Sequence, residues 1–173
     1  MLVALTTTTA LCAAAPAPPV SGLASPAPLS QQPASNGKTM TYQAAGSFDV
    51  KMAPQPADKI AAGETIGRML LDKKYHGLLD ATGKGQMLAM RTAVEGSAGY
   101  VAMELVVGTL DGRSGSFVLQ HSGTMNRGAR LLVLNVVPDS ATGELIGLSG
   151  DMEIIITDGK HHYRFEYSLP AAR

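Results

Sequence analysis

The 173-residue sequence has no net charge, because fourteen Lys and Arg balance fourteen Asp and Glu. A balanced chain has no overall field to draw nucleic acid or an anionic membrane, so neutral or apolar partners fit better. Cysteine occurs once, as Cys12 near the start. The folded domain therefore forms no internal disulfide and no cysteine metal site, and the count fixes no redox compartment. No apolar run approaches the roughly 18 residues that a membrane-spanning helix requires. Sustained helical periodicity is also missing beyond Tyr42, which argues against a helical domain. The length suits one domain of ordinary size.

Charge is absent from the first part of the chain altogether: Lys38 is the first charged side chain, and six of the ten prolines precede it. This sets a boundary near residue 40, with residues 1–40 a signal-like or disordered Ala/Pro/Ser/Thr-rich arm and residues 41–170 a single domain. The opening "MLVALTTTTALCAAAPA" has an apolar stretch followed by small residues, as at the end of a secretory signal, but no basic n-region. The reading is export to the periplasm or beyond. The alternative is a cytoplasmic protein with a disordered arm that buries too little apolar surface to fold. Lipid attachment at Cys12 is disfavoured by Leu11, which stands where such signals carry a small residue.

What the chain does have is period-two alternation, broken by glycines and turn dipeptides. Eight strands are expected near residues 43–52, 66–76, 78–89, 99–110, 113–122, 130–138, 144–157 and 160–169. Asp111-Gly112 and Asp158-Gly159 are type I′ hairpin signals, since both central positions need positive φ. Two-residue loops fix the register. In the last hairpin Thr157 opposes Lys160, so Ile156, Ile154 and Met152 meet His161, Tyr163 and Phe165 on one face. On the other, Glu153 meets Arg164 favourably and Asp151 meets Glu166 unfavourably. At Asp111-Gly112 the same rule pairs Val106 with Phe117, Glu104 with Leu119 and Ala102 with His121. Glu104 and His121 then become diagonal neighbours within side-chain reach.

Consecutive hairpins of this kind close into an eight-stranded, mostly up-and-down antiparallel β-barrel, with a two-layer sandwich as the alternative. Its inward face would carry Tyr100, Glu104, Phe117, His121, His161, Tyr163 and Tyr167, the expected ligand-binding set. The opposite face of the fourth strand is apolar, with Val101, Met103, Leu105 and Val107, and "LLVLNVV" is apolar on both sides. That wall must be covered, either by another subunit in a homo-oligomer or by residues 53–65 folding over it.

The strings "GSFDVK", "RMLLDKKYHG", "GSAGYVAMELVVGTLDGRSGSFVLQHSGTMNRG", "VVPDS" and "DGKHHYRFEY" resemble the bacterial domain-of-unknown-function family 3224, over nearly all of Tyr42 to Leu169. The resemblance implies a barrel similar to that of allene oxide cyclase. The family has no established activity, so no catalytic residue is carried over.

Glu104 beside His121 is a candidate acid/base pair, in which the carboxylate orients the imidazole near neutral pH. The same pair also reads as a buried hydrogen-bonded couple that satisfies its own polarity, and the residues leave both open. His76 lies at a turn where Asp72, Lys73 and Lys74 give no clean alternation. Pointing inward, it would complete a His76, Glu104, His121 set of metal ligands, but HxH and HExxH spacings are missing and no metal or cofactor is assigned. His161 and His162 are adjacent on a strand, face opposite ways and cannot share an ion. "GRSGS" is not a nucleophile elbow. "NRGAR" with Arg113 reads as a small basic rim or as solvated loop charge. The nine methionines read as adaptable core filling. The expected function is binding of a small, largely apolar ligand in the barrel. An isomerase or cyclase using Glu104 and His121 is one alternative, and a structural module with a filled barrel is the other.

Overall fold

The computed structural model describes residues 39–61 and 64–170; the arm up to residue 38, with Cys12, lies outside them. Eight antiparallel strands close into one barrel in sequence order. They are β1 (Thr39–Ala61), β2 (Glu64–Gly77), β3 (Leu79–Arg91), β4 (Ala98–Leu110), β5 (Arg113–Asn126), β6 (Ala129–Val136), β7 (Ser149–Thr157) and β8 (Lys160–Pro170). Closure pairs β1 with β8, from Thr39 opposite Pro170 to Phe48 opposite His161.

The hairpin dipeptides behave as their chemistry requires. Asp111 and Gly112 have φ of 50° and 77°, and Asp158 and Gly159 have 51° and 74°. The ladders run in the expected register, with Ala102 opposite His121, Glu104 opposite Leu119 and Thr157 opposite Lys160. Arg164 Nη1 donates to Glu153 Oε2 at 2.9 Å. The unfavourable pair of Asp151 and Glu166 is relieved by amides from the flanking strands: Asn135 donates to Asp151, and Gln43 Nε2 donates to Glu166 Oε1 at 2.8 Å.

One expected strand is too long. Residues 144–148 are not extended; Gly143–Leu145 forms a short 3-10 helix, and β7 starts only at Ser149. Positive φ at Gly143 (62°) and Gly147 (83°) breaks the extended run on both sides of it. The three-residue spacing of Leu145 and Leu148 then drives both into the core. This connection is tied to β5 by Ser114 N–H to Glu144 Oε2 at 2.7 Å and by Ser116 Oγ to Thr142 Oγ1 at 2.7 Å. Both serines of "GRSGS" therefore anchor a plug.

The barrel ends differ. At the plugged end Leu145 and Leu148 join Leu79, Leu110 and Leu169, all buried. Aromatic rings fill the space above: Tyr42 stacks on Tyr167 at 5.3 Å, Tyr167 meets Phe165 at 5.2 Å, and Phe165 stacks on Phe117 at 5.7 Å. At the other end the inward positions Val50, Met69, Met87, Tyr100, Met125 and Ile154 are only half-buried, and Met52, Leu132 and Ile156 are exposed. The chain therefore has one packed end and one end, the cup, whose inward apolar side chains are less buried.

Outside, Val101, Met103, Leu105 and Val107 are each about half exposed, as are Leu70 and Leu88 on neighbouring strands. Residues 53–61, 64 and 65 do not cover this wall. They extend the β1–β2 hairpin, from Ala53 opposite Leu70 to Ala61 opposite Glu64, with two register shifts on the way. Backbone pairing between those two segments satisfies polar groups that a loop laid over an apolar wall would leave unpaired.

Candidate functional site

The floor of the cup is charged. On β2, alternation sends Leu71, Lys73 and Tyr75 inward and leaves Asp72, Lys74 and His76 outside. Lys73, Glu104 and His121 are only 5%, 0% and 3% exposed. Lys73 Nζ lies 2.7 Å from Glu104 Oε2, and Tyr75 donates its hydroxyl hydrogen to Glu104 Oε1 at 2.8 Å. Lys73 Nζ also donates to the Tyr75 oxygen at 3.2 Å and sits over the Phe48 ring, 4.9 Å from its centre. His121 Nε2 is 3.0 Å from Glu104 Oε2, yet its N–H direction misses the carboxylate, so the nitrogen has no aligned hydrogen-bond partner.

Local sequence explains the space for the carboxylate. Gly85 is opposite Glu104 and Gly83 is its diagonal neighbour on β3. A Cβ added at Gly83 would overlap Glu104 Oε1. Across the barrel wall Tyr100 faces Gly123, and its ring lies where a side chain at 123 would be.

Burial by itself pushes the Glu104 carboxyl up, but the His121 imidazole and the Lys73 ammonium outweigh it and hold the group below its ordinary range. Burial pushes the Tyr75 phenol well above its ordinary value, with the Glu104 charge and hydrogen bond adding to it. Tyr100 is raised for the same two reasons, first burial and then the charge of Glu104, so its hydroxyl remains a neutral donor. Buried ion pairs of this kind are often no more stabilising than apolar residues of equal volume. Fold stability alone therefore gives no reason for a lysine and a glutamate at this depth.

All seven expected site residues point inward, but in different roles. Glu104 and His121 are together on the floor, and Tyr100 is half-buried above them. His161 packs against Phe48, ring centres 5.1 Å apart. Phe117 and Tyr167 belong to the aromatic filling of the plugged end. Tyr163 is committed to backbone, accepting from Leu79 N–H at 3.0 Å and donating to the His76 carbonyl at 3.3 Å.

Two arrangements that the sequence left as alternatives are not assembled among the described residues. His76 faces outward, where its Nε2 lies 3.0 Å from Asp49 Oδ2, so the set His76, Glu104, His121 is not assembled. Outward orientation follows from its place one residue beyond inward Tyr75. Nor do Arg113 and "NRGAR" form one rim. Arg113 opens β5 beside Asp111 and the Tyr42 ring at the plugged end, whereas Arg127 and Arg130 follow the far end of the same strand.

Lys73 was not singled out from sequence. The signal was there: Leu71 and Tyr75 mark the inward face, and Lys73 lies between them. Four methionines, Met52, Met69, Met87 and Met125, stand at the less buried end of the barrel.

Residues 44–167 match the model of the family described as protein of unknown function (DUF3224). A crystal structure from Shewanella oneidensis MR-1, described as a protein with unknown function from the DUF3224 family, is similar at 50% identity and a TM-score of 0.73. The match covers 77% of this chain and all of that one. No curated protein matches. An eight-stranded barrel, a family match across most of the chain and a half-identical solved relative lead to one conclusion: the chain belongs to the DUF3224 family.

Proposed function

We propose that the cup binds a small, largely apolar molecule with one hydrogen-bond-accepting end. The observation that carries this reading is a half-buried apolar rim standing over a buried Lys73–Glu104–His121 cluster in which the imidazole N–H lacks an aligned acceptor. Ligand sites are typically apolar with a few convergent polar groups. Tyr100 and His121 supply the donors, and methionine thioethers adapt to ligand shape. The acid/base alternative is weaker, because Glu104 is engaged by Lys73 and Tyr75 and the His121 N–H is not aligned on it, so the carboxylate does not orient the imidazole. Native mass spectrometry of protein purified from its own host tests the binding reading. The expected result is a non-covalent small-molecule adduct that disappears in the cup-filling variant Met87→Trp. No adduct, together with no binding of anilinonaphthalene sulfonate, would sink it.

We also infer that a second copy covers the outer wall at Val101, Met103, Leu105 and Val107. Contiguous apolar surface of this kind marks an interface, and Lys84 opposite Leu105 and Arg68 opposite Leu88 border it. Sedimentation at micromolar concentration should show an oligomer that Leu105→Glu converts to monomer. A monomeric wild type rules the interface out.

A further inference from the structure

The barrel wall is laced everywhere except at one seam. β5 and β6 are paired from Leu119 opposite Val136 to Asn126 opposite Ala129, and β7 and β8 from Ser149 opposite Ser168 to Thr157 opposite Lys160. Between β6 and β7 the described residues share a single bridge, Asn135 with Asp151. Each strand therefore has one edge in a ladder and, beyond that bridge, the other edge without one. Open edges present rows of N–H and C=O groups that accept another strand.

The side chains around the seam suit the same occupant. Leu131, Leu132 and Val133 are consecutive, point to alternate faces, and are 65%, 38% and 43% exposed. Strands apolar on both faces are those that become covered on both faces. A groove of about 510 Å³ follows the seam, with Leu132, Met152 and Ile154 along it. Its rim holds three carboxylates, Asp151, Glu153 and Glu166, against one guanidinium, Arg164.

We propose that the β6–β7 seam is a strand-accepting site for an extended peptide with alternating apolar residues and basic side chains. A small apolar molecule or a helix would leave both lips without backbone partners, whereas an extended chain offers donors and acceptors at the matching spacing. The acidic rim selects for Lys or Arg. The arm of this chain does not qualify, since it carries no basic residue before Lys38. The site is separate from the cup floor and does not depend on a ligand there.

The test uses the full chain and three capped octapeptides: one alternating Val with Lys, its analogue with alternate backbone amides N-methylated, and its analogue with Glu for Lys. The parent should slow amide exchange in Ala129–Leu134 and Glu153–Thr157, with both analogues binding about tenfold more weakly or worse. Glu153→Gln, on an exposed side chain, should weaken the parent several-fold while lowering the melting temperature by no more than about 4 °C. Equal binding by the N-methylated peptide, no binding by the parent, or protection confined to other strands would overturn the proposal. Concentration-dependent protection of the seam without peptide would also overturn it, because a second copy would then be the occupant.

Discussion

The two ends of the barrel are built from the same alternation and finish differently. At the plugged end, Leu145 and Leu148 from a short helical turn complete a core whose aromatic rings touch one another. At the other end, among the described residues, nothing comparable closes over Met69, Met87, Tyr100 and Met125, and a charged cluster lies beneath them. The first region is held by apolar packing, and the second retains polar chemistry that packing alone does not require. This contrast teaches that a filled barrel need not be filled uniformly.

Substitutions at the two ends should separate these roles. The largest effect is expected at Glu104→Ala, which leaves the Lys73 ammonium buried without its partner. A loss of about 3–5 kcal/mol in urea unfolding is expected, with Lys73→Met/Glu104→Leu recovering much of it. Leu145→Ala should follow closely, at about 2–5 kcal/mol, as a core truncation at the plug. Met87→Ala at the half-buried rim should cost under about 1 kcal/mol, because little buried volume is removed. Equal losses at 145 and 87 would erase the distinction between the ends.

Proton linkage sharpens it further. The Glu104 carboxyl is lowered in the fold, so its contribution is present above the ordinary carboxyl value near pH 4.3 and is lost as pH falls through the lower folded value. Tyr75 runs the other way: its phenol is raised, so its contribution is present below about pH 10 and is lost as pH climbs toward the folded value. Urea midpoints across pH should therefore decline at both extremes, and Tyr75→Phe should reduce the alkaline decline. The smallest effect belongs to Glu153→Gln, where an exposed cross-strand ion pair is worth about 0.2–1 kcal/mol.

Much of the architecture was legible because two Asp-Gly turns fixed register and period-two alternation then assigned faces. That reasoning alone brings Glu104 and His121 together. It failed where local rules compete. "GELIGL" alternates well enough to look like strand, but glycines at positive φ and inward leucines three apart make it a turn. Lys73 was missed because a lysine between two charged neighbours reads as solvated, and only the pairing of Phe48 with Tyr75 places it inside. The open seam was invisible, since "ARLLVLNV" has strong strand character whether or not its second edge finds a partner.

Closure by β1 and β8 has a practical corollary. Thr39 and Pro170 are direct cross-strand neighbours at the plugged end. Permuted chains that join these positions through a short linker and begin instead at the Asp158-Gly159 loop should retain the barrel, and affinity tags attached beside 39 or 170 will project away from the cup.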